Sequence, residues 1–351
     1  MLNITFFSRC HSPLILVAVS HVEDSEDILS RQLQYVAHQA VYFLTQSRMQ
    51  RLFKNRHNFD LRRQLTGVPK FFDSILDFVE TDDSFLLTSV KCAPLPSQLR
   101  TDVTSILLVN RVPQLVFAVL LYGDQLVTLV RPKQYTLAPQ DIHLLMNYVK
   151  AGNFRDHGEK WAPACLPYFN SGGYLYVHDS YISETSNICL ILITNEQEEH
   201  ITMIDCKQKI CEALSTQGLI EKLEIAIKIP FLAKEPRLPH LRHFLYKSSS
   251  SQQLVSPDYA PPYHTKEEKL RLHHIYCSVY NKMHCGSQQL SIYYLISEKE
   301  TVVGYVTNNS ELYCTFSPHI TKPVALNFID KLLRWIKREE NRFFILGSGV
   351  Y

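Results

Sequence analysis

The chain contains 351 residues, of which 46% are apolar, so it is long enough for two or three domains with sizeable hydrophobic cores. Its 36 basic and 34 acidic residues leave a formal net charge of +2, which argues against nucleic-acid binding and confines any cationic site to a local surface. The nine cysteines form no CxxC pair, a pattern typical of reduced, mostly buried thiols in the cytosol. The longest apolar runs, at residues 14–19 and 115–122, are far shorter than the ~20 residues that span a bilayer.

The order of predicted secondary-structure elements repeats along the chain. Residues 241–351 are predicted to form two strands, a helix, three strands and a closing helix, and the same order fits residues 115–218. Residues 1–66 fit only the second half of that order. Small, mostly antiparallel sheets with flanking helices (an α+β fold class) commonly serve binding, and no catalytic motif competes with that role. We therefore predict domains at residues 1–66, 67–235 and 236–351, with the first copy incomplete.

The first segment is predicted to contain two strands, at residues 2–8 and 13–20, followed by a long helix. Asp24 and Ser25 can cap that helix. Apolar residues then recur at spacings of three and four, which predicts one buried stripe. The positions of the stripe are Leu29, Leu33, Val36, Ala40, Phe43 and Leu44.

Basic residues dominate the end of this helix and the turn that follows it, where six cations accompany a single acid, Asp60. Two interpretations remain open. A clustered cationic surface can bind anionic lipid or an acidic partner, at roughly 1 kcal/mol per cation near a charged membrane. Alternatively, the cations form a solvated helix end that the helix dipole favours and that pairs with the acidic helix at residues 73–83. The six cations are Arg48, Arg51, Lys54, Arg56, Arg62 and Arg63.

A boundary is predicted at Gly67-Val68-Pro69, after which two helices, over residues 71–80 and 98–109, are expected to form a connecting arm. Residues 161–169, rich in proline and aromatic side chains, are the least predictable part of the chain. The second domain is predicted to contain a hairpin at 115–131 around Gly123-Asp124, a helix at 139–150, strands at 174–182 and 188–194, and a closing helix at 205–217.

The third domain follows a proline-containing linker at residues 228–240. Four consecutive serines and three prolines within residues 248–264 predict a mobile insertion between its first two strands. Thr265 and Glu268 fit a capping box for a helix that ends near His284. Three strands rich in tyrosine, valine and threonine, at 290–297, 301–307 and 311–317, and a last helix at 323–342 complete the domain.

The last helix is predicted to have two faces, one apolar and one cationic, with Trp335 between them. The cations are spaced three, four and four residues apart, so they share a face that either is solvated or binds anionic lipid or a partner. The core stripe is Ala325, Ile329, Leu332, Leu333 and Ile336, and the cations are Lys331, Arg334, Arg338 and Arg342.

Two groups of residues have the side-chain types of a zinc site or of a catalytic triad, but their spacing does not fit either site. His273, Cys277, His284 and Cys285 lie on or near one helix, but no second ligand pair follows at zinc spacing. The sequence His178-Asp179-Ser180 offers triad residue types, yet neighbours on a strand point to opposite faces. Because nucleotide-binding glycine motifs are also absent from the sequence, we expect no cofactor and no covalent chemistry.

Five segments of the chain form a set of motifs in a fixed order. They are residues 13–19 (PLILVAV), 58–63 (NFDLRR), 161–167 (WAPACLP), 241–248 (LRHFLYKS) and 332–342 (LLRWIKREENR). In order and spacing they resemble the signatures of the Mon (SAND) family of vacuolar fusion proteins, and residues 332–342 resemble its carboxy-terminal signature. The resemblance covers nearly the whole chain.

The resemblance implies three longin-type domains, each a five-stranded, mostly antiparallel sheet flanked by helices. It also implies a Ccz-type longin partner subunit, with which the family forms the guanine-nucleotide exchange factor of the late-endosomal and vacuolar Rab GTPase. Recruitment by early-endosomal Rab and by phosphoinositide membranes follows from the same resemblance. We therefore expect a cytoplasmic protein that associates peripherally with endosomal and vacuolar or lysosomal membranes and binds no nucleic acid.

One departure from the family concerns the first domain. The family has a tail, two strands and a helix before the segment that matches residues 2–20, whereas Met1 here falls inside the first longin unit. An amino-terminally truncated first domain that lacks part of the GTPase-facing surface is therefore expected. Three hypotheses stay open: an exchange-factor subunit, a longin scaffold or tether without exchange activity, and a hydrolase supported only by scattered histidines and serines.

Overall fold

The computed structural model describes most of the chain, and its elements assemble into two units. One unit comprises Met1–Glu80, Ser97–Glu224 and Gly347–Tyr351, and the other comprises Thr81–Pro96 and Ile225–Leu346. The described residues are 3–7, 14–20, 26–56, 58–152, 159–183, 186–285, 289–347 and 349–351.

The strands and helices are numbered in chain order. The strands are β1 (Asn3–Phe7), β2 (Leu16–Ser20), β3 (Val90–Lys91), β4 (Leu115–Tyr122), β5 (Gln125–Val130), β6 (Lys160–Ala164), β7 (Leu175–Tyr181), β8 (Ile188–Thr194), β9 (Leu241–Ser248), β10 (Gln253–Val255), β11 (Ile292–Ile296), β12 (Thr301–Val306) and β13 (Ser310–Phe316). The helices are α1 (Glu26–Leu44), α2 (Gln46–Asn55), α3 (Pro69–Thr81), α4 (Asp83–Leu86), α5 (Ser97–Val109), α6 (Pro139–Gly152), α7 (Pro167–Asn170), α8 (His200–Thr216), α9 (Leu219–Lys228), α10 (Lys266–His284), α11 (Lys322–Arg338) and α12 (Glu340–Phe343).

The amino-terminal segment forms a two-stranded antiparallel sheet, β1–β2, against which α1 packs. Both predicted strands and the helix are confirmed, but the helix is not continuous with its basic extension. Thr45, at a φ of 56°, ends α1 and separates it from α2. Because a threonine at positive φ cannot continue a right-handed helix, the basic residues are carried on a second helix with a direction of its own.

Helix α1 is buried on more than the single predicted side, because α6 packs against it. The Tyr35 hydroxyl and His143 Nδ1 are hydrogen-bonded at 2.8 Å. One turn further along, the Asn147 amide donates to Gln39 Oε1, also at 2.8 Å. Buried polar pairs of this kind fix the register of two helices. They lie outside the apolar stripe, so the sequence pattern does not predict that they are buried.

The first unit also contains a five-stranded antiparallel sheet in the order β5-β4-β8-β7-β6. Every residue of the central strand β8 is buried, so both faces of the sheet are covered. The predicted hairpin is confirmed, with Gly123 at a φ of +59° in its turn. The least predictable segment supplies the edge strand β6 and the short helix α7.

The expectation that residues 71–80 and 98–109 form a connecting arm is wrong, since α3 and α5 both pack into this unit. The Arg100 guanidinium donates to the Val127 carbonyl on β5 at 2.7 Å. The Thr104 and Thr128 hydroxyls are hydrogen-bonded at 2.7 Å. Phe71 of α3 is buried and stacks on a tyrosine of α6. The hydrogen bonds of Arg100 and Thr104 could not be predicted from the pattern of apolar residues.

The carboxy-terminal residues also belong to the first unit and extend along the end of β5. The amides of Arg131 and Lys133 donate to the carbonyls of Gly349 and Tyr351, both at 2.8 Å. A Cβ at position 349 would lie 1.9 Å from the Leu129 carbonyl oxygen, so only glycine fits this approach.

The second unit is built on a six-stranded sheet in the order β11-β12-β13-β9-β10-β3. All neighbours are antiparallel except β3, which pairs with β10 in parallel. The prediction of a mobile insertion at residues 248–264 is wrong, because β10 lies within it. Tyr263 in the same segment is fully buried and donates its hydroxyl hydrogen to Glu300 at 2.9 Å. One of the two strands that pair with β10 is β3, which lies far earlier in the chain, and local composition gives no sign of that partner.

The helices of this unit agree with the sequence in position and core stripe. Thr265 accepts a hydrogen bond from the Glu268 amide at 3.3 Å, as the capping-box pattern predicts. In α11, Ala325, Ile329, Leu332 and Ile336 are buried, and Leu333 is half-buried. The prediction that this helix continues through residue 342 is wrong. It ends at Arg338, and α12 begins at Glu340.

Candidate partner and membrane surfaces

Helix α2 carries half of the cations predicted near the amino terminus, and two contacts set its position. The Thr45 hydroxyl accepts a hydrogen bond from the Arg48 amide at 3.2 Å, which caps the start of the helix. On one side Met49 is fully buried in a small apolar cluster. Arg48, Arg51 and Lys54 are therefore held on the solvent side of a fixed helix.

All six predicted cations of this region are exposed, and together they form what we term the amino-terminal basic surface. Arg48 donates to Gln64 Oε1 at 2.8 Å, and Arg62 pairs with Asp60 at 2.8 Å. That pairing holds the pKa of Asp60 below its ordinary value. The other four cations make no ion pair with any described residue, so the alternative in which they pair with the acidic helix is not what the structure shows. Those four are Arg51, Lys54, Arg56 and Arg63.

A second cationic patch, the carboxy-terminal basic surface, lies on α11 and consists of Lys331, Arg334 and Arg338, all exposed. The Lys331 ammonium lies 5.7 Å from the ring centroid of Phe328. Arg338 approaches Glu339 at 3.4 Å, although its side chain stays 72% exposed. Neither contact neutralises the patch, since exposed pairs of this kind are weak.

Arg342 does not share that surface. Its guanidinium pairs with Glu235 at 2.7 Å and lies over the rings of Phe231 and Phe343 at 5.6 and 5.4 Å. Trp335, expected to form an aromatic edge, is half-buried and stacks on Phe231. Both side chains therefore hold α11 and α12 to the core of the second unit. The sequence spacing placed Arg342 with the other cations only on the assumption of an unbroken helix.

An exposed apolar face was not foreseen from the sequence. Ile15, Val17 and Val19 are 71%, 50% and 57% exposed; Val17 and Val19 lie on β2, and Ile15 immediately precedes it. They alternate along the strand, so they point to the same side of the sheet. The sequence predicts a strand here, but because every residue of the run is apolar, the pattern does not show which face of the strand is buried. Clustered exposed apolar residues are typical of interaction surfaces.

Two of the residues that suggested a metal site, His273 and Cys277, belong to a hydrogen-bonded chain that extends from α10 to Asp83, whereas His284 Nε2 lies 3.1 Å from the Tyr313 hydroxyl. His273 Nδ1 lies 2.8 Å from Asp83, and its Nε2 lies 3.4 Å from the Cys277 sulfur. The Tyr259 hydroxyl donates to the other Asp83 oxygen at 3.0 Å. Among the described residues no group of three or more metal-ligating side chains is arranged to hold an ion. Asp83 was missed because it precedes His273 by 190 positions, and no local pattern links them.

The His178-Asp179-Ser180 sequence forms no accessible site, because all three side chains are buried in β7. His178 Nε2 lies 3.3 Å from Glu159. Burial raises the pKa of Asp179 to about 7. Because neighbouring side chains on a strand point to opposite faces, Asp179 does not share a face with His178 and Ser180. In the part of the chain that the structure describes, we find no helix whose length and hydropathy would let it cross a membrane.

Comparison with known proteins identifies all three domains. The family models for the first, second and third longin domains of FUZ, MON1 and HPS1 match residues 2–75, 113–212 and 240–340. The tandem longin fold predicted from the sequence is thereby confirmed, while the boundaries predicted at residues 66 and 235 stay predictions.

Relatives from vertebrates align over 97% of the chain. Protein SAND of Takifugu rubripes is 40% identical over 341 residues, and the human vacuolar fusion protein MON1 homolog A is 38% identical over the same length. The mouse vacuolar fusion protein MON1 homolog B is 34% identical over 360 residues. The chain spans 66%, 52% and 65% of these three relatives. The chain belongs to the Mon (SAND) family of longin-domain proteins.

Proposed function

We propose that the chain acts in vacuolar fusion and vesicle-mediated transport, as one subunit of a heterodimeric guanine-nucleotide exchange factor for the late-endosomal and vacuolar Rab GTPase. The observation that carries the proposal is the similarity, at 34–40% identity over 97% of the chain, to vacuolar fusion proteins and Protein SAND. The exchange activity and the identity of the GTPase rest on the family resemblance of the sequence motifs.

Such a subunit needs a shaped surface and no covalent chemistry. An exchange factor stabilises the nucleotide-free conformation of its GTPase by binding it more tightly than the nucleotide-bound form. The features of the chain fit that role, since its candidate triad residues are buried and its exposed features are an apolar strand face and two cationic patches. We therefore propose a regulatory subunit rather than an enzyme with covalent chemistry, acting without a cofactor.

The exposed face of β2 is the part of the chain best suited to the Ccz-type partner. Ile15, Val17 and Val19 present three large apolar side chains to solvent on a sheet of only two described strands. An apolar sheet face of this kind is a liability until a partner covers it. We therefore place the partner subunit against this face, and we expect a charged residue at Val17 to reduce heterodimer yield.

The two basic surfaces are proposed to contact phosphoinositide membranes, with early-endosomal Rab as the second recruitment signal. Each cation contributes roughly 1 kcal/mol near an anionic surface, so reversing two of them should weaken liposome binding by at least tenfold. The test compares Arg51→Glu/Lys54→Glu with Arg334→Glu/Arg338→Glu on liposomes that contain phosphoinositide. An Arg111→Glu variant, also exposed, serves as the matched control.

The result for each pair identifies the role of its surface. Weaker liposome binding with unchanged heterodimer yield assigns that surface to the membrane. Loss of heterodimer instead assigns it to the partner, and no effect on either assay contradicts the proposal for that surface.

The exchange activity itself is tested by nucleotide release from the late-endosomal Rab. The chain purified with its Ccz-type partner should accelerate release above the rate with the partner alone. If it binds partner and membrane without acceleration, the chain is a longin tether or scaffold, a role that longin folds also serve. That outcome would remove the exchange-factor proposal.

A further inference from the structure

Helix α10 carries a cysteine in contact with a histidine, Cys277 and His273, and this pair is independent of the proposed exchange activity. We propose that Cys277 is a thiol that peroxide oxidises selectively to a sulfenic acid, with His273 as its proton donor and Asp83 as the residue that positions His273. The site would make the second unit responsive to oxidants.

The three side chains form a continuous nucleophile–imidazole–carboxylate arrangement. The Cys277 sulfur lies 3.4 Å from His273 Nε2, and the opposite ring nitrogen lies 2.8 Å from Asp83 Oδ1. Cys277 and His273 are one helical turn apart, so a rigid helix holds the sulfur against the ring. The hydroxyl of Tyr259 occupies the second Asp83 oxygen at 3.0 Å, which fixes the carboxylate plane.

The imidazole of this arrangement is a cation at neutral pH. Burial alone would lower the pKa of His273, but its hydrogen bonds to Asp83 and then to Cys277 outweigh burial and raise that pKa to about 11. An imidazolium has two N–H donors: one serves Asp83, and the other donates to the Cys277 sulfur. The second N–H therefore holds a transferable proton against the sulfur, at the place where an oxygen leaving from an attacked peroxide would need it.

Other buried cysteines have the opposite environment. Cys165 and Cys206 direct their thiols at backbone carbonyls of Asn170 and Asn110, each at 3.4 Å, which favours the protonated form. Burial raises the pKa of Cys165 to about 12 and that of Cys206 to about 11. Both are 0% exposed and Cys277 is 8% exposed, so the proposed reaction requires an oxidant as small as hydrogen peroxide.

The proposed step balances without any further reactant. The Cys277 thiolate attacks one oxygen of hydrogen peroxide, an S–O bond forms and the O–O bond breaks. The departing hydroxide takes the proton from His273 Nε2 and leaves as water. Sulfur is oxidised to the sulfenic acid, peroxide is reduced, and His273 is left neutral with its other N–H still on Asp83.

The test uses the full chain treated with substoichiometric hydrogen peroxide and trapped with a dimedone-type probe for sulfenic acids. Trypsin cleavage after Arg271 and Lys282 places Cys277 and the exposed Cys285 on separate peptides, so mass spectrometry reads each thiol independently. In the folded chain, Cys277 should be trapped about tenfold faster than Cys285, despite its lower exposure. In concentrated guanidinium chloride the two rates should become equal.

The comparison of the folded and the denatured wild-type chain requires no variant to fold. His273→Gln should abolish the advantage of Cys277 in the folded chain, while Cys285→Ser should leave it unchanged. Preferential trapping of Cys285 in the folded wild-type chain, or an advantage of Cys277 that persists in denaturant, would overturn the assignment.

Discussion

Replacing Asp83 by asparagine should lower the free energy of unfolding of the second unit at neutral pH by roughly 3–5 kcal/mol, because His273 loses its counter-charge and the buried ring must then give up its proton. The side chains of His273 and Asp83 are only 6% and 7% exposed, so solvent screening removes little of this effect. Asparagine keeps the shape of the carboxylate, and the loss therefore reports the charge rather than a cavity.

The same pair predicts how stability depends on pH. Between the ordinary histidine pKa of 6.5 and the raised value of about 11, the folded unit holds a proton that the unfolded chain releases. Stability should therefore fall as pH rises through that window, by at most about 1.4 kcal/mol per pH unit. For Asp83, burial is outweighed by His273, which lowers the pKa from 3.8, so its contribution is lost as pH falls below that value.

Hydrogen exchange by mass spectrometry in increasing urea measures this effect within one unit. Peptides from α10 report the second unit, and peptides from α6 in the first unit serve as the control. Asp83→Asn should accelerate exchange in α10 alone and should flatten its dependence on pH between about 6.5 and about 8.5. A change in opening free energy below about 1 kcal/mol would refute the argument that this ion pair stabilises the unit.

Three further predictions concern other buried contacts. Asp179→Asn should raise the melting temperature at about pH 8, raise it less at about pH 5 and leave it unchanged at about pH 3, because burial raises the pKa of Asp179 from 3.8 to about 7 and its charged form is the destabilised one; a lower melting temperature at about pH 8 would contradict this. Gly349→Ala should remove the exchange protection of the Arg131 and Lys133 amides, since its Cβ would meet the Leu129 carbonyl; retained protection would show that the chain end can shift. Arg342→Gln should lower the free energy of unfolding in urea by roughly 1 kcal/mol, because it removes the half-buried pair with Glu235. Arg334→Gln should change that free energy by less than about 0.5 kcal/mol; equal effects would contradict the assignment of Arg342 to the core.

Local patterns in the sequence were sufficient to predict most elements and their order. The hairpin around Gly123, the cap at Thr265 and the core stripe of α11 each depend on neighbours within a few residues. Such features are encoded by turn geometry, capping chemistry and helical periodicity. The motifs of the Mon (SAND) family then identified the repeated sheets as longin domains, which the family matches confirm.

The features that were mispredicted depend on partners far along the chain. Residues 248–264 contain β10, whose parallel neighbour β3 lies more than 150 positions earlier. The polar residues of α1 are buried because α6 supplies hydrogen bonds to them. Asp83, which sets the charge state of His273, gives no local signal at all. Polar residues with distant partners resemble exposed residues in a sequence, so composition assigned them to loops or solvent.

Nucleotide release from the late-endosomal Rab is the measurement that tests the central claim most directly. The assay compares the Ccz-type partner alone, the partner with the wild-type chain, and the partner with a Val17→Asp/Val19→Asp chain. We predict acceleration only with the wild-type pair, because charges on the exposed β2 face should prevent assembly. A wild-type heterodimer that releases nucleotide no faster than the partner alone would contradict the account.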